Sequence, residues 1–129
     1  MKNCPCGSKL SYETCCGLYH DEKRIPQTPE VLMRSRYSAY AMAHIDYIKK
    51  TMYGKPLATF NEHEAKTWAK NTKWLKLKII NTHETSDTQA SVEFVAFFIE
   101  QGQHRTMHEK SEFQRMNDRW YYVDGILLQ

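Results

Sequence analysis

From Thr28 onward the apolar positions return every three or four residues. Leu32, Met33, Arg36, Tyr37, Tyr40 and Met42 to Ala43 share one face of a helix that Thr28 caps and Pro29 opens. A break near His44 separates a second short helix, Ile45 to Met52, which Gly54 and Pro56 are expected to end. Asn61 then caps a third helix with Glu62 and Glu64 in its first turn, where carboxylates favour the positive end of the dipole. That helix should finish around Lys70-Asn71.

After Asn71 the period changes from about 3.6 to 2. Trp74-Leu75-Lys76-Leu77-Lys78-Ile79-Ile80 alternates apolar side chains with lysine, which predicts a half-buried strand with Leu75, Leu77 and Ile79 inward. Thr85 to Thr88 reads as a turn. Ala90 to Glu100 is apolar on both faces, as a central strand would be. Gln101-Gly102-Gln103 makes the next turn, and Arg105 to Arg115 pairs with Arg119 to Ile126 around Asn117-Asp118. Three helices followed by four hairpin-linked antiparallel strands predict an α+β layer fold.

Composition narrows the class. The chain has 129 residues, 41% hydrophobic and 26% charged, with a formal net charge of +3. That is room for one domain of about 100 residues and a small appendage. No apolar run approaches the roughly 18 residues of a membrane span. Met1-Lys2-Asn3-Cys4 has no apolar segment behind it, so the expectation is a cytoplasmic protein without a cleaved leader. There is no phosphate-binding glycine loop, no H-E-x-x-H and no dinucleotide fingerprint.

The candidate chemistry is concentrated at one end. All four cysteines, Cys4, Cys6, Cys15 and Cys16, lie in the first sixteen residues. Two close pairs separated by eight residues suit four thiolates around a tetrahedral zinc ion. A reducing compartment favours metal over a pair of disulfides. Pro5 stiffens the first loop and Gly7 lets its backbone turn toward the sulfurs. Ser11 to Thr14 should form a helical turn that ends at Cys15-Cys16, with Gly17 marking the end. With no open coordination position, the metal would be structural.

Cys4-Pro5-Cys6-Gly7-Ser8-Lys9-Leu10-Ser11-Tyr12-Glu13-Thr14-Cys15-Cys16-Gly17 resembles the SEC-C motif, the zinc module at the C-terminus of the SecA translocation ATPase. Thr28 to Tyr40, Val92-Glu93-Phe94, His108 to Phe113 and Arg119 to Gly125 are similar to the middle domain of the YchJ family. The resemblance implies a zinc knuckle over residues 1–20, a connector over 21–28, and a nuclear-transport-factor-like domain over 29–129. In such a domain a curved sheet wraps a long helix and leaves a cone-shaped pocket. Many relatives carry a second cysteine motif, which the sequence up to Gln129 does not include. Thr51-Met52-Tyr53-Gly54 replaces a Thr-Trp-His-Pro segment of relatives, so no histidine role carries over there. The SecA module looks like a docking surface. By resemblance, Lys9, Leu10, Tyr12 and Tyr19 are expected to meet a protein partner, and an adaptor role is the leading expectation.

The rival expectation is a small-molecule or enzymatic site inside the cone. Glu109 and Ser111 share a strand face with Met107 and Phe113 and should point inward, with Arg34 and Arg36 reaching them from the first helix. A Glu109–Arg36 or Glu109–Arg34 ion pair that pins helix to sheet is the structural alternative. Ser111 has no histidine at a spacing that would activate it. His108 should face outward, and His63, His83 and His104 read as surface residues. Trp120, Tyr121 and Tyr122 read first as strand and core. Lys70, Lys73, Lys76 and Lys78 could form a basic stripe, but the small net charge disfavours nucleic acid. The two-sided apolar run with Val95 and Phe97 makes a homodimer reasonable.

Overall fold

The computed structural model describes residues 2–128; Met1 and Gln129, the outer bounds of the two segments read from the sequence, lie outside the described residues. A 3-10 turn at Tyr12–Thr14 precedes five helices: α1 Cys16–His20, α2 Pro29–Ala41, α3 Ile45–Lys50, α4 Lys55–Ala58 and α5 Glu62–Asn71. Four strands follow: β1 Thr72–Ser86, β2 Gln89–Glu100, β3 Gln103–Met116 and β4 Arg119–Leu128. They form one antiparallel sheet in the order β1-β2-β3-β4. The predicted α+β class, with helices laid on a four-stranded meander, is the observed one.

Local chemistry explains the boundaries. Thr28 accepts a hydrogen bond from the Val31 amide (3.2 Å) and Asn61 from the Glu64 amide (2.9 Å), so both caps act as expected. Gly54 does not end the helical region. At φ 76° it turns the chain into the single helical turn α4, with Pro56 in that turn. The β2–β3 and β3–β4 hairpins close through pairs in the left-handed region, Gln101-Gly102 and Asn117-Asp118, as the right-handed twist of the strands requires. No helix among the described residues is long and apolar enough to cross a membrane.

One inward assignment fails. Leu77 and Ile79 face the helices, but Leu75 is 44% exposed. The β1–β2 register slips between Trp74 and Lys76, leaving Leu75 as the extra residue of a bulge, and Trp74 takes the inward place. A second slip between Ile79 and Asn81 puts Ile80 outside.

The main core lies between α2 and the inner sheet face. It contains Leu32, Met33 and Tyr37 from the helix and Val92, Phe94, Phe98, Phe113 and Trp120 from the sheet. Trp120 is thus a core residue, as read from the sequence. The free edge of β4 is covered by the chain after α3: the Tyr122 amide donates to Thr51 O (2.8 Å) and the Tyr53 amide to Tyr122 O (3.0 Å). This strap places Thr51, Met52 and Tyr122 beside the middle of α2, where the deepest polar groups of the domain lie.

Candidate functional site

Residues 2–12 double back on themselves. The Cys4 amide donates to Leu10 O (2.7 Å) and the Tyr12 amide to Lys2 O (3.2 Å), with Gly7 (φ 86°) and Lys9 (φ 69°) making the turn. The sulfurs of Cys4, Cys6, Cys15 and Cys16 all lie within 4.8 Å of one another, and three of these cysteines are buried. Sulfurs about 2.3 Å from a tetrahedral zinc would stand about 3.8 Å apart. The 3.6 Å between the Cys6 and Cys15 sulfurs fits that spacing. The donor set therefore suits a metal ion, and the residues that would hold it are these four. Crowding shows in the thiols themselves: hydrogen bonding with Cys16 and Cys6 drives the Cys4 thiol far down, and Cys16 is driven far up.

The helical geometry here differs from the sequence expectation. The 3-10 turn ends before Cys15, and Cys16 begins α1 instead of ending a helix. Gly17 is needed for closeness, because a Cβ there would stand 2.7 Å from the Tyr12 carbonyl oxygen. Ser11 makes no capping bond to a backbone amide; its hydroxyl pairs with that of Thr14 (2.8 Å).

Three polar contacts fix this knuckle to α2. Arg34 donates to Cys6 O (2.7 Å) while also pairing with Glu30 (3.0 Å). The Cys4 sulfur lies 3.4 Å from the Ser38 hydroxyl. His20 Nε2 donates to Ser35 O (2.8 Å), and Nδ1 lies 2.6 Å from the Tyr12 hydroxyl; burial lowers the His20 pKa, which favours the neutral imidazole with Nδ1 accepting. Arg34 is thus spent on the knuckle and does not reach the sheet. Among the four residues expected to dock a partner, Tyr12 is tied to His20 and Tyr19 packs against the second cluster around Ile48. Lys9 and Leu10 remain exposed.

Inside the cone, between α2, α5 and the sheet, is a cavity of about 470 Å³. Arg36, Trp68, Trp74, Met107, Glu109 and Tyr122 form much of its wall. Arg36 is only 5% exposed. Its Nη1 donates to Ile48 O (2.9 Å) and Thr51 Oγ1 (2.6 Å), placing the cation on the carbonyl end of α3. Its guanidinium carbon sits 4.6 Å above the Tyr122 ring centre. Burial pulls the Arg36 pKa down from its ordinary value.

Glu109 accepts from the Ser111 hydroxyl (2.6 Å), so both residues face inward as the strand pattern predicts. The expected ion pair does not form. Among the described residues no arginine or lysine nitrogen lies within 4.0 Å of Glu109. Contacts of Nη1 with Ile48 O and Thr51 hold the Arg36 guanidinium where its other donors stay beyond ion-pair reach of Glu109, and the knuckle holds Arg34. Desolvation raises the Glu109 pKa above the ordinary carboxylate value, offset only in part by Ser111 and Arg36. Gly125 makes room for this arrangement: a Cβ there would overlap the Tyr122 hydroxyl and stand 2.8 Å from Glu109 Oε2.

Three residues of the cavity were not readable as site residues. Trp68, Trp74 and Tyr40 form an edge-to-face aromatic cluster, with the two indoles 4.9 Å apart. Their joint signal in the sequence is spread over residues 40–74 and three elements. The Trp74 indole nitrogen is buried without a hydrogen-bond partner. His108 does face outward, but it is paired with Glu93 (2.6 Å) across the sheet, a carboxylate partner invisible at local spacing. A wider cleft of about 650 Å³ lies beside His20, His44 and His63. Its charged walls at Asp21, Glu22, Lys50 and Glu62 are solvated, unlike the buried Arg36 of the cone.

Comparison with known proteins agrees with this architecture. A family model described as YchJ, middle NTF2-like domain, matches residues 28–125. A UPF0225 protein of Haemophilus influenzae is 40% identical over 124 residues, which cover 96% of this chain and 77% of that protein. A UPF0225 protein of Serratia proteamaculans is 39% identical, over 98% of this chain and 84% of its own length. The solution structure of a SEC-C motif containing protein from Rhodopseudomonas palustris superposes with a TM-score of 0.90 at 34% identity, over 99% of this chain and all of that one. An NTF-2 like protein from Shewanella oneidensis, at 16% identity and a TM-score of 0.53, shares the fold over 72% of this chain and 93% of its own.

Proposed function

Since the chain belongs to the YchJ (UPF0225) family, with a SEC-C cysteine module joined to an NTF2-like domain, we propose that it is a zinc-braced small-molecule-binding protein whose ligand site is the cone cavity. The observation that carries this reading is the arrangement of Arg36 and Glu109. A buried arginine and a half-buried glutamate line one cavity without pairing to each other. A scaffold would gain by closing such a pair, whereas a binding site keeps its polar groups available. The aromatic wall supplies apolar contact and the polar groups orientation.

Zinc is the ion that four clustered sulfurs at this spacing fit best, and it would act as a structural brace. Held rigid, the knuckle fixes α2 through Arg34, Ser38 and Ser35, and α2 carries Arg36. Metal site and cavity are thereby joined through a single helix.

The test is ligand-observed NMR with a library of small aromatic compounds, on the native protein and on Met107→Trp. The larger side chain fills the cavity and leaves Arg36 and Glu109 in place. Binding to the native protein and its loss in a folded Met107→Trp variant is the expected result; equal binding to both places the ligand elsewhere. A second reading, an adaptor that docks a protein, is favoured by one observation: Leu10 is 54% exposed on the rigid turn beside Lys9. Its test is loss of partner capture by Lys9→Glu with the metal content unchanged.

A further inference from the structure

We propose that the cone cavity receives a small planar carboxylate, held by the unclaimed edge of the Arg36 guanidinium and by the Glu109 carboxyl. The inference rests on the cavity reading above and adds the chemical class of ligand. A guanidinium has five N–H donors. In Arg36 only Nη1 is engaged; among the described residues Nη2 and Nε make no hydrogen bond. The residue is nearly inaccessible from outside, yet it lines the cavity, so these donors have the cavity as their outlet. Neither nitrogen is among the fully enclosed polar atoms without a partner, so both open on the cavity, where no carboxylate lies within ion-pair distance and an anion could take the place of solvent.

The geometry selects among anions. Anchoring at Nη1 and stacking on Tyr122 fix the plane of the fork, and the free edge suits two-point contact with a planar carboxylate. Glu109 borders the same space, and a multiply charged phosphate would meet it at close range. A single carboxylate can instead accept a hydrogen bond from Glu109 in its protonated form. The indoles of Trp68 and Trp74 and the Met107 side chain offer an apolar surface for the ligand's body. The volume falls within the ~300–1,000 Å³ usual for small-molecule sites.

The probes are benzoate, benzamide and benzamidinium: one planar shape with negative, neutral and positive heads. Their binding is followed through the indole and Tyr122 resonances of the full chain. Benzoate should bind at least about tenfold more tightly than the other two. Its affinity should rise as the pH falls from about 8 toward the ordinary carboxylate range, because burial makes Glu109 take up its proton above its ordinary value. The other groups facing Glu109 are Arg36 and Tyr40 from α2, Tyr122 and Asp124 from β4, and Glu64 across the cavity. Of these, Arg36, Tyr40 and Tyr122 keep their charge state over that interval. Arg36→Lys should cost at least about tenfold in benzoate affinity, because an ammonium cannot reproduce the fork. Glu109→Gln, which spares the arginine contacts, should still bind benzoate but with a flat pH profile. Equal binding of benzoate and benzamide overturns the carboxylate assignment and leaves the cavity reading standing. If no probe moves these resonances, both fall.

Discussion

A chelator under reducing conditions, which would strip the proposed zinc from the cysteine module, should unfold residues 2–20 and leave the sheet in place. Metal binding at small structural sites is worth on the order of 10 kcal/mol. The contacts that would remain, Arg34 to Cys6 O and His20 to Ser35 O, are hydrogen bonds worth about 1–3 kcal/mol each. They cannot order a segment whose own core consists of the three buried cysteines with Tyr12 and Cys15 against them. Hydrogen exchange should therefore show the amides of Cys4, Tyr12 and Cys15, which bond within the knuckle, losing their protection. The amides of β2 and β3 should keep theirs. Cys6→Ser should behave like the chelated protein. Unchanged protection of the knuckle after complete metal removal would show that the polypeptide orders this segment by itself.

Replacing Arg36 with Met is the second large effect: a loss of about 2–4 kcal/mol of stability in urea denaturation. The side chains are of similar length, so packing volume is largely retained. What is lost is the pair of charge-assisted hydrogen bonds that join α2 to the end of α3 and to the strap on β4, each worth about 1.5–3 kcal/mol and not fully additive. The stacking on Tyr122 goes with them. A variant as stable as the native protein would mean that the buried charge costs as much as its contacts return, as happens for some buried ions.

Much of the fold could be read from the sequence because local signals agreed with tertiary ones. Thr28, Pro29 and Asn61 cap what they were expected to cap, and the alternation through β3 correctly turned Glu109 and Ser111 inward. The failures have physical causes. A bulge shifts register by one residue, and nothing local in Trp74-Leu75-Lys76 announces it. Gly17 looked like a helix end because glycine serves there often, whereas here it admits the Tyr12 carbonyl. The cysteine cluster was legible because its ligands are neighbours in sequence. The cavity was legible only in part, since Arg36, Trp68, Trp74 and Tyr122 come together by tertiary packing. The choice of Arg36 for Ile48 O over Glu109 is decided by helix ends that sequence spacing does not locate.

That choice has a thermodynamic signature. A carboxyl whose pKa is raised by folding favours the protonated native state. Its contribution to stability is therefore complete below the unfolded-state value, about 4.3, and is lost as the pH rises through the elevated folded value. Glu109→Gln should remove this loss and make stability at neutral pH higher than in the native protein. The direct measurement is the titration of the Glu109 side-chain carboxyl by carbon-13 NMR in the 129-residue chain with zinc supplied. An unpaired carboxyl in the cone titrates with a midpoint above about 4.3. A midpoint at or below that value would mean that Glu109 is closed onto a cation in solution and that the cavity is not held open for a ligand.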